Sequence, residues 1–388
     1  MTKTAIARTT EKQSSTAGRS LAEQLQQGLG AGVPDAVILF ASPIYDHSAL
    51  LESLIKAAGP TAIVGCSSSG EFTSHGPLDG SACALGLSSS EMRFRASVGT
   101  RLRQDRASAA REMVSGFTGS RDRTFRYRSA LVLTDALAGY MEEFLEDVTM
   151  LTGGTYQLFG GGAGDDAQFS KTYVFCGRGA HTDACVALEI LSSKPLGIGV
   201  SHGWIPASDA MRVTDSDGVR INSINATSAV EVLQEHAENT GQHFDPADPM
   251  PFFLHNIIGI DTGHGYKLRV PLTVEQGGAI QCAAEVPTGA KICIMRATIG
   301  SSGEAAANAS RAAMKQLNGE QPAAGLFFDC AATRLRMGRD FGVELAEVTR
   351  ALDSAPYAGC NTYGQLARIE GQFSGFHNCT AVVCAIPR

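Results

Sequence analysis

The chain repeats one strand–helix–strand–turn–strand pattern three times, and this repeat narrows the possible folds more than any other feature of the sequence. The first copy reads DAVILFASP, SALLESLIKAAG, TAIVGCSSSGEF and SACALGLSS. The second reads SALVLTDA, YMEEFLEDVTMLTG, YQLFGGGAGDD and DACVALEIL, and the third GLFFDCAAT, FGVELAEVTRALDSA, YAGCNTYGQLA and NCTAVVCAIPR. Short apolar runs closed by small residues read as buried strands, while Leu50, Leu51, Leu54 and Ile55 recur at helical spacing. The turns GCSSSGE and GCNTYGQ align without gaps, which puts Gly65 with Gly359, Cys66 with Cys360 and Gly70 with Gly364. GGGAGDD is slightly shorter and keeps Gly164 ahead of an acid.

Copies two and three each follow a further strand and helix signal, FRASVGT with ASAAREMVSGF and KICIMRAT with GEAAANASRAAMKQL. An amphipathic helix buries its stripe against a sheet, so the expected fold is α/β, with mixed sheets flanked by helices. Residues 201–290 are different in character. KLRVPLTV and AIQCAAEVP around EQGG read as a hairpin, TSAVEVLQEHAENTG as a helix ending at Gly241, and HFDPADPMPFF as a loop. The expected layout is a mobile Thr/Ser/Lys-rich tail over 1–18 and an N-terminal domain over 19–200 that holds copies one and two. A C-terminal domain over 201–388 follows, with the β-rich segment 201–290 inserted before copy three at 291–388.

Composition removes several function classes. A net charge of −7 with no basic stripe argues against a nucleic-acid partner. No apolar run reaches the ~18 residues of a membrane span, and no signal-peptide core is present, so a cytoplasmic protein is expected. The ten cysteines include no C-x-x-C pair, and several sit in apolar strands, where Cys acts as a small buried hydrophobe. No nucleophile elbow, phosphate loop, H-E-x-x-H or EF-hand loop occurs, and the expectation is a non-enzyme. Catalysis by Cys66, Cys360 or serines 67 to 69 would need a base that the sequence does not place.

Two groups of residues remain as candidates. If the repeat symmetry brings the glycine turns together, then Gly65, Cys66, Gly70, Glu71, Gly164, Asp165, Gly364 and Gln365 surround one cleft. If it does not, they are solvated surface turns. The second group is histidine: His202 in GVSHGW beside Trp204, His377 in FHNCT, His255 and His264. A neutral imidazole can ligate haem iron, and without C-x-x-C-H any haem would be non-covalent; each histidine can equally be a hydrogen-bonded structural residue.

The order and spacing of GCSSSGEF, GGGAGDD with KTYVF, GVSHGW with RVTD, NTYGQLA and FHNCT resemble the FIST family, an N-terminal domain followed by a C-terminal one, over residues 20–386. The resemblance implies a bacterial or archaeal signal-input module that binds small ligands such as amino acids. Stand-alone members include haem proteins that sense nitric oxide and act on a partner histidine kinase, and this chain is similar in length and in carrying no output domain. For this sequence that implies haem b held by His202 as first choice or His377 as second. Trp204 would pack on the macrocycle, and Gly199 and Gly203 would leave it room. The alternative is a non-haem module that binds an amino acid or similar polar metabolite between its domains, with Glu71 and Asp165 meeting the amine. One departure is Gln365, where the family commonly has the glutamate of a T-Y-G-E turn; the charge that would pair with an ammonium group is lost there.

Overall fold

The computed structural model describes residues 1–59, 62–369 and 375–388. Thr61, which opens the strand-and-turn segment of copy one, lies outside the described residues.

Each copy is longer than the sequence pattern suggests, and the first shows its full form. Strand β1 (Thr2–Thr9) and helix α1 (Ser14–Gly28) lead into β2 (Ala36–Ala41), α2 (His47–Ala58) and β3 (Ala62–Ser67). A turn then opens a small hairpin, β4 (Glu71–Thr73) and β5 (Gly76–Leu78), before β6 (Ala82–Ser89). The expected mobile tail is therefore a strand and the start of a helix. TKTAIART alternates, with Ala5 and Ala7 buried while Lys3 and Arg8 stay at the surface or its margin, and all of Thr2–Thr9 pairs antiparallel with β6. Small alanines on the helix-covered face keep this strand from reading as apolar.

Copy two repeats the order as β7 (Met92–Thr100), α3 (Arg106–Ser115), β8 (Tyr127–Thr134), α4 (Met141–Leu151), β9 (Gln157–Gly162), the hairpin β10 (Val174–Cys176) and β11 (Gly179–His181), and β12 (Ala184–Ser192). Copy three begins with β13 (Gly197–Ser201) and resumes at α5 (Ile299–Gln316). It continues through β14 (Pro322–Cys330), α6 (Ala331–Met337), α7 (Gly342–Ala351) and β15 (Tyr357–Thr362), then the hairpin β16 (Gln365–Arg368) and β17 (Gly375–His377), and ends with β18 (Ala381–Pro387). The β-rich segment thus interrupts copy three between its first strand and first helix and does not precede it. KICIMR, expected to lead into copy three, instead pairs within the separate nine-stranded sheet of that segment. The expected helix there spans Ala229–Thr240 and closes on Gly241 at φ 66°, and Pro271–Val274 and Ile280–Cys282 form the expected hairpin.

The three sheets share one plan. In each, the second and third strands are parallel, as in β2 with β3, and the last strand of the copy adds antiparallel beside the second. The sheets are mixed, as expected. The small hairpins, however, cross over. Copy one's hairpin docks on β15, copy two's on β3, and copy three's on β9, so every copy completes another's sheet. The inner faces meet in one apolar core that includes Phe40, Cys66, Leu131, Phe159, Phe328 and Cys360, with the ring of Phe40 edge-on to Phe328 at 5.6 Å. Helices cover the outer faces: α1 and α2 on the first sheet, α3 and α4 on the second, α5 and α7 on the third. Among the described residues, no helix is long and apolar enough to cross a membrane.

Candidate functional site

The exchange of hairpins forces the three turns to one place. Strand register pairs Phe40 with Cys66, Leu133 with Gly161 and Phe328 with Cys360, which makes Ser69, Gly164 and Tyr363 equivalent positions. Their backbone N–H groups close a ring. Ser69 donates to the Asn361 carbonyl, Tyr363 to that of Gly162, and Gly164 to that of Ser67, each at 2.9 Å. The turn backbones thus satisfy one another around a pseudo-threefold axis, as buried peptide groups must.

Beyond the ring the copies diverge. Glu71 lies opposite Cys360, Gln365 opposite Gly161, and Val174 opposite Cys66, so Val174 is the counterpart of Glu71 in copy two. Asp165 is not that counterpart. Residues 165–172 are an insertion, and Asp165 folds it. Its carboxylate accepts from the backbone N–H of Phe169 at 2.9 Å, Ser170 at 2.7 Å and Lys171 at 2.8 Å, and from the Tyr363 hydroxyl. Burial alone would raise its pKa, but these donors outweigh it and hold the carboxyl below its ordinary range.

Neither acid is available to a ligand amine. Glu71 is fully buried and accepts from the hydroxyls of Ser68 and, at 2.6 Å, Ser81. Burial pushes its carboxyl up to about 7 against the pull of these hydroxyls. Gln365 is likewise buried, donating to Thr362 Oγ1 at 2.8 Å and accepting from the Thr380 N–H at 3.3 Å. Cys66 and Cys360 are core residues, and burial raises the Cys360 thiol well above its normal range. Gly65 packs on the Leu39 carbonyl and Gly164 on Ser69. Gly70, at φ 131°, lies under the Arg334 guanidinium, which pairs with Asp79. Of the eight turn residues that the sequence points to, Gly364 lines a cavity.

That cavity, of about 110 Å³, opens where copy two, copy three and the β-rich segment meet. Ala136, Leu137 and Met141 come from copy two, Val270, Leu272 and Ala284 from the β-rich segment, and Ala331, Ala332 and Gly364 from copy three. Among the described residues, no charged side chain lines it. Tyr140, Phe169 and Leu335, each at least 41% exposed, also line it and form its mouth. The Phe169 ring, carried by the insertion, stacks on Tyr363 with centroids 4.6 Å apart. Asn378, 2% exposed, also belongs to the lining; its Oδ1 is shut off from solvent and has no hydrogen-bond partner among the described residues. Asn378 stands in FHNCT beside His377, so the motif is legible in the sequence while its role is not.

The residues present do not fit haem. The ring nitrogens of His202 are both engaged: Nε2 lies 3.0 Å from the Tyr266 carbonyl and Nδ1 accepts from the Trp204 N–H at 3.3 Å. Burial also holds this imidazole below its ordinary pKa, and so neutral. The space assigned to a macrocycle beside Gly199 and Gly203 is filled by α5. A Cβ there would come within 1.9 Å of the Ala309 carbonyl and 2.1 Å of the Ser301 carbonyl. Trp204 is buried, with the Arg336 guanidinium 5.3 Å above its ring. His377 is fully buried in β17 opposite Gln365, while its neighbours Phe376 and Asn378 face the cavity. Among the described residues, no group of three or more His, Cys, Asp or Glu could hold a metal ion.

Comparison with known proteins identifies the class. The sequence matches the FIST N domain over residues 35–227 and the FIST C domain over residues 229–368, so the chain belongs to the FIST family. FIST domains are sensor domains of signal-transduction proteins that bind small ligands. The cavity therefore has walls from both matched segments. No curated protein matches the chain in sequence. Similar solved structures include a cyanuric acid hydrolase from A. caulinodans, 10% identical, covering 100% of this chain and 99% of that one at a TM-score of 0.35. A second cyanuric acid hydrolase, described as an evolutionary innovation by structural concatenation, is 11% identical over 100% of both chains at 0.36. T. maritima PurL in complex with ADP is 11% identical, covering 99% of this chain and 71% of that one at 0.23. At TM-scores this low, these likenesses fix neither fold nor activity.

Proposed function

We propose that this FIST protein is a small-molecule sensor whose ligand occupies the apolar cavity between copy two, copy three and the β-rich segment. The observation that carries this reading is the cavity's lining: residues from both FIST domains enclose it, and exposed apolar side chains rim its mouth. A ligand there touches both domains at once and shifts the population of their relative arrangements by its differential affinity for them. The insertion 165–172 hangs over the mouth by the Phe169–Tyr363 stack and the Asp165 anchor, so occupancy also bears on a surface loop that a partner protein can read. A partner histidine kinase is one such reader. Binding rather than catalysis suits a cavity with no charged group on its wall among the described residues and with Cys66 and Cys360 sealed in the core.

The test is a thermal-shift screen of small neutral ligands on the full chain and on Ala284→Leu, which fills the cavity from a buried wall position. Ligands that raise the melting temperature of the unmodified protein and leave the variant unmoved support the reading. Equal shifts in both proteins overturn it. An absorption spectrum of protein from haem-supplied cells is the control. No Soret band is expected, and a band abolished by His202→Ala would restore the haem and nitric oxide reading.

A further inference from the structure

A total charge of −7 hides an uneven distribution, and a basic stripe that the net charge argues against is present in copy two. Residues 93–128 hold ten arginines against three acids, Asp105, Glu112 and Asp122. Six of the arginines gather at one end of this copy's sheet. Along β7, Phe94 and Ala96 pack inward on the core, so Arg93 and Arg95 project from the outer face. Strand register sets Arg93 and Arg128 on either side of Leu191, which belongs to that outer face. Helix α3 covers the strand only further along, where a Cβ on Gly99 would strike the Ala109 carbonyl. The connection 116–126, from α3 to β8, adds Arg121, Arg123 and Arg126.

This connection is held from beneath. The Glu189 carboxylate accepts from the backbone N–H groups of Thr118 and Gly119, each at 2.9 Å. Asp122, the one acid in residues 116–128, is already engaged: it accepts from the Thr124 N–H at 2.8 Å and pairs with Arg93 at 2.6 Å. The guanidinium of Arg93 lies 5.3 Å from the centre of the Phe125 ring, and that of Arg126 lies 5.3 Å from that of Tyr127. Arg95, Arg121, Arg123 and Arg126 are exposed, and among the described residues none of the four forms a salt bridge. The fold does not require these charges. The equivalent connections, 29–35 in copy one and 317–321 in copy three, are shorter and contain no basic residue.

We infer that this face of copy two docks an acidic segment of a partner protein, whose carboxylates pair with Arg95, Arg121, Arg123 and Arg126. Each guanidinium offers a planar fork that matches a carboxylate. Phe125 and Tyr127 already hold two guanidinium groups of the patch, which lowers the cost of ordering them on binding. The charge outside the patch sets the class of partner. The rest of the chain is net acidic and repels a nucleic-acid strand that runs on past the arginines, whereas an acidic segment ends where they end. Docking here is independent of what the cavity holds.

Fluorescence anisotropy of a labelled glutamate-rich peptide measures the docking on the full chain and on two triple variants. One carries Arg121→Glu, Arg123→Glu and Arg126→Glu. The control carries Arg19→Glu, Arg296→Glu and Arg339→Glu, exposed positions elsewhere, and has the same net charge. The expected result is a loss of at least about tenfold in the first variant, the scale of several exposed ion pairs lost and turned repulsive together, and less than about twofold in the control. A loss no greater in the first variant than in the control, or no binding to the unmodified protein, overturns the docking face. A single-stranded DNA of equal charge that binds the unmodified protein as tightly as the peptide, or more tightly, overturns the acidic-protein class and assigns the face to nucleic acid. If the first variant does not fold, Arg121→Glu and Arg123→Glu taken singly make the same comparison against single control substitutions.

Discussion

Glu71→Gln isolates one buried charge in a setting where the chain already shows the neutral substitute. Gln365 occupies the symmetry-equivalent place in copy three, buried and hydrogen-bonded, so the amide fits the local backbone. In the unmodified protein burial lifts the Glu71 carboxyl from 4.5 to about 7. The sign of the linkage follows. Below pH 4.5 the group is protonated in both states; between 4.5 and 7 the folded state holds a proton that the unfolded state has released, so stability falls as pH rises. Above about pH 7 both states are ionised and the loss levels off. A gap of this size at 1.36 kcal/mol per pH unit amounts to about 3 kcal/mol. Glutamine cannot ionise. It can accept from Ser81 and donate to Ser68, so the variant matches the parent near pH 4.5 and exceeds it by about 3 kcal/mol at pH 8. With an unfolding entropy of about 2.1 cal/mol/K per residue, that is roughly 4 °C in melting temperature for a chain of 388 residues unfolding as one unit. Melting curves of both proteins from pH 4.5 to 8 make the comparison. Parallel pH profiles, or a variant less stable at pH 8, would refute a buried, desolvated Glu71.

Three further outcomes follow from the same geometry. Asp165→Ala should cost at least about 2 kcal/mol, because three backbone N–H groups lose their acceptor, and hydrogen exchange should quicken at Phe169, Ser170 and Lys171 with little change in α1 and α2. The pH sense is opposite to that of Glu71: the depressed carboxyl lends stability above 3.8 that is lost as pH falls through its folded value, so the difference between parent and Asp165→Ala should shrink in acid. Gly364→Ala should destabilise by about 2 kcal/mol or more in denaturant titration, since φ there is 95° and a Cβ would lie 2.1 Å from the Phe376 ring. Alkylation of the native protein mapped by mass spectrometry should label Cys176, the one partly exposed thiol, and leave Cys66 and Cys360 intact; rapid labelling of either would revive a nucleophilic role.

Much of this fold is legible in the amino-acid sequence, because three agreeing copies of a strand–helix–strand pattern carry information that one copy does not. The repeat predicts mixed sheets flanked by helices, and both are present. Where sequence and structure part, the causes are definite. Strand β1 buries alanines rather than large aliphatics, so TKTAIART reads as polar. GGGAGDD aligns with the other turns by length, whereas strand register shows that 165–172 is an insertion and Val174 the partner of Glu71. Gly199 and Gly203 do signal a close approach, but by α5 and not by a macrocycle. The cavity is the least legible feature. Its walls come from residues as far apart as Ala136, Val270, Ala331 and Asn378, and only the exchange of hairpins and the packing of the β-rich segment bring them together.

The most direct measurement is hydrogen–deuterium exchange of the full chain with and without a saturating ligand from the thermal-shift screen. Ligand in the cavity should slow exchange together in residues 136–141, 165–172, 330–335 and 376–378, segments of copies two and three that each contribute to its lining. Protection confined to one copy, or centred on the segment around His202, would contradict a sensing site shared between the two FIST domains.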